Sequence, residues 1–167
     1  VGAPGTGKTT LSEAIQKIFV KNKTTVIRGD DMHKWERGNE KWKTFTHLDP
    51  KANELHHEFR LLNQLKSGQE IMRQHYDHDL GKFTSAARIK PNNVMIFEGL
   101  HPFYIKKMRS LYDLKIYVSP DQELHHYWKV VRDVEQRGYT QEKVIQQIKD
   151  RAEDSKKYIK TQNKHSD

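Results

Sequence analysis

Residues Gly2-Ala3-Pro4-Gly5-Thr6-Gly7-Lys8-Thr9 satisfy G-x-x-x-x-G-K-[ST] at every position, and that spacing specifies chemistry. The glycines let backbone N–H groups wrap a phosphate, the lysine reaches the β and γ oxygens, and the following hydroxyl can ligate Mg²⁺. Gly2, Gly5, Thr6, Gly7, Lys8, Thr9 and Thr10 are therefore the candidate nucleotide-binding residues, and ATP with Mg²⁺ is what they imply. Such a loop holds the phosphates and leaves the acceptor open, because several enzyme classes share it. An N-K-x-D segment, the usual mark of guanine specificity, is absent, since Asn22-Lys23 is followed by threonines.

Phosphoryl transfer to a hydroxyl also requires a base, an acid near the metal and cations around the moving charge. Gly29-Asp30-Asp31-Met32-His33 presents two carboxylates at a strand end, where a parallel sheet delivers them to its carboxyl edge. We assign Asp30 as the base and Asp31 as the cap of the following turn. Glu98, closing Val94-Met95-Ile96-Phe97-Glu98, is placed to meet Mg²⁺ together with Thr9. Arg132 and Arg137, five apart before Gly138, can neutralise the transferring group from a lid spanning about 129–140. In isolation such a segment is more often an exposed helix face. His75-Tyr76-Asp77-His78-Asp79 resembles a metal cluster superficially, as do His56-His57 and His125-His126. It is discounted, because the segment has no helical stripe and adjacent side chains diverge.

These residues need elements to carry them. Leu11, Ala14, Ile15, Ile18 and Phe19 follow helical spacing, which predicts a helix from Lys8 to about Val20 directly out of the glycine loop. Thr24 to Arg28 reads as a short strand, followed by a polar loop to Asp49 that is a candidate active-site segment. Asp49-Pro50 reads as N-cap and first turn of a second helix through Ala52, Leu55, Phe59, Leu62 and Leu65 to Gly68. Val94–Phe97 and Leu114–Val118 are apolar runs of the kind buried on both faces of a parallel sheet. Two further helices follow, one through Leu124, Trp128, Val131 and Val134, the other, capped by Thr140, through Val144, Ile148 and Ala152. This alternation predicts a single α/β domain over residues 1–167, with a parallel sheet flanked by helices in three layers. No apolar strand precedes Val1, so the first and last strands of the fold are expected to be missing from the sequence.

At 167 residues with 34% hydrophobic content, the chain is sized for one core. It contains no cysteine, which excludes disulfides, thiol switching and cysteine-based zinc sites. A net charge of +8 points to anionic partners. With the basic residues dispersed, a dedicated nucleic-acid arm is not expected. No run is long and apolar enough to span a bilayer and no signal peptide is evident, so a soluble cytoplasmic protein is expected, with homo-oligomerisation left open.

Taken together, GAPGTGKTT, GDDMH, THLDPKAN at 46–53, YDHDLG at 76–81, FEGLHPFY at 97–104, RDVEQRG at 132–138 and the tail YIKTQNKHSD resemble the phosphoribulokinase and uridine kinase family over nearly the whole chain. THLDPKAN, YDHDLG and EGLHPFY are more similar to the phosphoribulokinase branch. The resemblance implies a P-loop kinase fold and an ATP-dependent kinase. It implies Asp30 as base, Glu98 as metal-associated acid, Arg132 and Arg137 as lid arginines, His33 and Arg37 as sugar-phosphate contacts, and Tyr76 and His78 as acceptor-site lining. The expected acceptor is ribulose 5-phosphate or a related pentose phosphate. A uridine or cytidine kinase is the alternative within the family, and a nucleotide-binding regulatory or nucleic-acid-associated module the alternative outside it. The sequence departs from the family pattern at Pro4, where serine is usual, and at Gln74, where proline is usual.

Overall fold

The computed structural model describes residues 1–19 and 23–167. Helix α1 (Lys8–Ile18) rises from the glycine loop with left-handed Gly7 as its N-cap. The sequence-predicted end at Val20 lies outside the described residues. Strand β1 (Thr24–Arg28) pairs in parallel with β6 (Val94–Glu98) over the full register from Thr24↔Val94 to Arg28↔Glu98. The two strands therefore deliver Asp30 and Glu98 to the same edge.

Between them lie α2 (Leu55–Lys66) and two small antiparallel ribbons. One pairs β2 (Ile71–Arg73) with β5 (Ala87–Ile89), and the other pairs β3 (Tyr76–Asp77) with β4 (Lys82–Phe83). Chain order continues with α3 (Lys106–Arg109), α4 (Gln122–Glu135), α5 (Gln141–Asp150) and α6 (Ala152–Asp154), then irregular helical turns to His165. The main core joins Ile27 and Met32 to Leu61, Leu62 and Leu65 of α2, Ile71 of β2 and Met108 of α3, with Phe97 against it. Helix α1 packs on β6. The result is the predicted α/β arrangement, a parallel sheet flanked by helices. Among the described residues no helix is long and apolar enough to cross a membrane.

Four local expectations are corrected. The second helix starts at Leu55, because Asp49 caps only a 3₁₀ turn over Pro50–Ala52 and Asn53 is extended at φ −128°, ψ 147°. Asn53 is held so by a bridge to His33 and by donating its side-chain amide to the carbonyls of His47 and Asp49. The Leu114–Val118 run is not a strand. Its ladder-like bonds reach single residues, Val1 on one side and Asp167 on the other, with Val118 N–H donating to Val1 O at 2.7 Å. The helix capped by Thr140, whose hydroxyl accepts from Lys143 N–H, breaks at Arg151, one residue short of Ala152.

The fourth correction concerns α4. Its apolar residues Leu124, Trp128 and Val134 are exposed, while Lys129 (5% exposed) and Asp133 (0%) form the buried face. A helix buries the face its neighbours can satisfy, and here Asp133 is satisfied by three cations around it. Helix α1 behaves similarly, with Leu11, Ile18 and Phe19 exposed and Ser12 alone buried.

Candidate active site

The glycine loop is shaped as an anion cradle. Gly2 lies against the Val118 carbonyl, and Gly5, at φ +87°, lies so near α4 that an added Cβ would sit 3.1 Å from Lys129 Cβ. Thr6 donates its hydroxyl to Ala3 O at 2.9 Å, bracing the turn. The N-terminus of α1 has no side-chain cap and no acidic residue in its first turn, and exposed Thr10 lies there. Uncapped N–H groups and the positive helix end suit a phosphate.

Lys8 Nζ donates to Ala3 O at 2.8 Å, folded over the loop it is built to complete. Burial lowers its ammonium pKa, with Asp30 and Glu98 pulling it upward and Arg132 adding to the lowering. Lys8 thus lies within electrostatic reach of Asp30, Glu98 and Arg132. Thr9 donates its hydroxyl to Glu98 Oε1 at 3.2 Å. Arg28 Nε lies 3.7 Å from the same oxygen. Glu98 Oε2 is buried with no hydrogen-bond partner. Burial raises the Glu98 pKa against the opposing pull of Thr9, Lys8 and Arg28.

Asp30 stands in a 3₁₀ turn, Gly29–Met32, directly after β1. Its carboxylate is half-exposed, and His78 Nε2 lies 3.9 Å from Oδ2. Asp31 does not cap that turn as expected. It is buried, and its oxygens reach across more than forty residues to accept from Tyr76 N–H at 2.9 Å and Arg73 Nη1 at 3.3 Å. An unpaired buried carboxylate is costly, so Asp31 is drawn to the donors that can enclose it.

Opposite Asp30 stands an aromatic wall. His33 meets Tyr76 at 5.2 Å, Trp42 at 5.7 Å, His47 at 6.2 Å and His78 at 6.5 Å between ring centroids, all edge-on. Arg37 clamps the base of this wall, donating from Nη2 to the His78 carbonyl and from Nη1 to Asp79 O at 3.1 Å. Gly81, at φ +71°, makes the clamp possible, because a Cβ there would lie 2.5 Å from Arg37 Cβ. Among the described residues no group of three or more His, Cys, Asp or Glu side chains is arranged to hold a metal ion.

Helix α4 packs against the glycine loop. His125 Nε2 donates to Pro4 O at 2.8 Å. Arg132 donates from Nε and Nη2 to Asp133 Oδ1 at 2.9 and 2.7 Å, and Arg137 Nη1 reaches that oxygen at 3.4 Å. Lys129 Nζ donates to Asp133 Oδ2 at 2.5 Å. Arg132 and Arg137 are therefore organised by one buried carboxylate between them.

Sequence reasoning missed several residues here. Asp133 and Lys129 were hidden within a polar helix face, although their i, i+4 spacing was a usable sign. His101 lies buried after Glu98 with neither ring nitrogen at hydrogen-bonding geometry to a partner, and burial lowers its pKa to about 4. It is neutral near pH 7 and carries unused hydrogen-bonding capacity. A histidine inside the apolar run that follows the strand-end acid was its only signal. His47, pushed well below its ordinary pKa by burial, is likewise neutral.

Comparison with known proteins gives concordant results. A model of the family described as "Phosphoribulokinase / Uridine kinase family" matches residues 1–167. A phosphoribulokinase from Synechocystis sp. is 36% identical over 166 residues, covering 99% of this chain and 50% of that protein. A uridine kinase from Latilactobacillus sakei is 28% identical, covering 87% of this chain and 70% of that protein. The solved structure titled as phosphoribulokinase from Rhodobacter spheroides superposes with a TM-score of 0.79 at 26% identity, over 100% of this chain and 66% of that one. The chain thus spans about half the length of the curated phosphoribulokinase it matches.

Proposed function

The chain belongs to the phosphoribulokinase/uridine kinase family, and from that premise we propose that it is an ATP-dependent kinase whose acceptor is a hydroxyl of a sugar phosphate, ribulose 5-phosphate or a related pentose phosphate. One observation carries this reading. Asp30 follows β1 at the sheet edge it shares with Glu98, which bonds Thr9 of the phosphate loop, and its carboxylate lies 3.9 Å from His78 of the His33–Tyr76–His78 wall. A carboxylate at that edge, beside an acceptor wall, is placed to take a hydroxyl proton as the phosphoryl group arrives.

In this reading Gly2, Gly5, Thr6, Gly7, Lys8, Thr9 and Thr10 hold the nucleotide phosphates, and His33, Arg37, Tyr76 and His78 line the acceptor. Arg132 and Arg137, held by Asp133, bring positive charge from a lid at about 129–140 of a single domain. Thr9 and Glu98 would hold Mg²⁺, and the buried, partnerless Glu98 Oε2 beside the Thr9 hydroxyl fits that task. Two protein oxygens suit an ion that takes its remaining ligands from water and nucleotide. When bound, Mg²⁺ would neutralise phosphate charge at the loop. The reading carries with it a cytoplasmic location and a small-molecule partner in place of a membrane or nucleic acid.

A nucleoside acceptor is the second reading, favoured by one specific contact. Arg37, the expected phosphate contact, already donates from Nη2 and Nη1 to the backbone carbonyls of His78 and Asp79, which leaves fewer of its N–H groups for an acceptor phosphate. An ADP-release assay with ribulose 5-phosphate, uridine, cytidine and unphosphorylated sugars separates the two. We expect release to depend on the pentose phosphate. Stimulation by nucleosides alone would establish the second reading, and release indifferent to every acceptor would leave a nucleotide-binding module.

Glu98→Gln tests the metal assignment. The Mg²⁺ concentration for half-maximal turnover is expected to rise by about tenfold or more, since the neutral amide holds a dication poorly. A Mg²⁺ titration of initial rates that overlays the unmodified protein's would take Glu98 out of the metal site.

A further inference from the structure

Arg73 lies in the interior, 4% exposed, and its guanidinium contacts converge on the segment that carries Asp30. Nη2 donates to the Arg28 carbonyl at 2.7 Å and to both Glu58 carboxylate oxygens at 2.9 and 3.0 Å. Nη1 donates to Asp31 Oδ2 at 3.3 Å. On its other oxygen Asp31 accepts from Tyr76 N–H at 2.9 Å, and His75 Nδ1 lies 2.7 Å away. One guanidinium therefore fixes residue 28 through its backbone and residue 31 through its side chain, with Gly29 and Asp30 suspended between. The Asp30 carboxylate itself is half-exposed, and the His78 ring lies 3.9 Å away.

Two further facts point the same way. The Arg73 and Glu58 side chains are 2% and 1% exposed, so their bonds are made out of water, where donor direction is enforced strongly. A buried ionic chain of this kind is often no more stabilising than apolar packing of equal volume, so stability alone does not account for it. Asp31 moreover binds Tyr76, so the same carboxylate registers the acceptor wall to the turn bearing Asp30.

We infer that the Glu58–Arg73–Asp31 chain is a positioning device that holds the Asp30 carboxylate in register with the acceptor wall at Tyr76 and His78. This inference rests on the kinase reading above. Arg73→Lys keeps the charge but loses the fork that reaches Arg28, Glu58 and Asp31 together. A displacement of Asp30 by about 1 Å is enough to cost up to a hundredfold in rate.

The test is a double-mutant cycle with Asp30→Asn, read by sensitive label transfer from ATP to the acceptor found active in the assay above. In the unmodified background, Arg73→Lys is expected to lower kcat about tenfold or more while ATP affinity changes less than about twofold. In the Asp30→Asn background it is expected to change kcat less than about twofold, because the group it positions is gone. An equal loss in both backgrounds, or no loss in the first, would overturn the inference. Should Arg73→Lys lose its cooperative melting transition, Glu58→Gln replaces it in the cycle with the same two outcomes. If Asp30→Asn alone left kcat unchanged, the assignment of the base would be what fails; a slow Asp30→Asn without coupling to Arg73 defeats this inference alone.

Discussion

Asp30→Asn is expected to lower kcat by about a hundredfold or more while ATP binding stays within about twofold of the unmodified protein. The substitution preserves shape and removes only basicity. It perturbs the fold little, because the Asp30 carboxylate is half-exposed and the turn around it is held by residues 28 and 31 rather than by Asp30. The phosphate loop is separate, so nucleotide affinity reports on a different part of the site. Steady-state kinetics with a parallel nucleotide titration checks both halves of the expectation. Turnover within a few-fold of the original removes Asp30 as the base. A loss of ATP affinity matching the loss of rate would instead mean that Asp30 serves the loop, through the charge it exerts on Lys8.

The second large effect is expected at Asp133, where one fully buried carboxylate faces Lys129, Arg132 and Arg137. Asp133→Asn leaves Lys129, 5% exposed, without a counter-charge against the phosphate loop. Removing one partner of a buried pair costs about 3–5 kcal/mol. For a chain of this size that corresponds to a fall in Tm of roughly 10 °C or more. Adding Lys129→Met should recover part of the loss, since it removes the stranded charge. A Tm within about 2 °C of the original for Asp133→Asn would show that the carboxylate is dispensable.

The pH dependence follows with a definite sign. Burial alone would raise the Asp133 carboxyl, but hydrogen bonds from Lys129 and Arg132 outweigh it and hold the group below its ordinary value. Its stabilisation is therefore fully present at neutral pH. It is lost only as pH falls from roughly 4 downward through the lowered folded value. Turnover should fall as well in the variant, because Arg132 and Arg137 lose the anchor that aims them.

These results separate what the sequence by itself determined from what the tertiary structure decided. The glycine loop, the helix that leaves it, the strands β1 and β6 and the cap at Thr140 were all legible, because each shows in composition and spacing among near neighbours, whereas the pairing of β1 with β6 joins segments far apart in sequence. Placing Asp30 and Glu98 at one sheet edge was legible too, since a parallel pair carries both strand ends to the same side. The burial pattern of α4 was not. Its periodicity nominates Leu124, Trp128 and Val134 for the core, yet Lys129 and Asp133 go inside. The roles of Asp31, Glu58 and Arg73 were equally invisible, with partners 15 to 45 residues apart. The reason is physical: a charged side chain is buried only where distant segments supply its counter-charges and donors, and composition or local spacing carries no record of that meeting. The sequence nominated the groups that the proposed phosphoryl transfer needs, and the tertiary structure decided which buried carboxylates, Asp31 and Asp133, pack beside them.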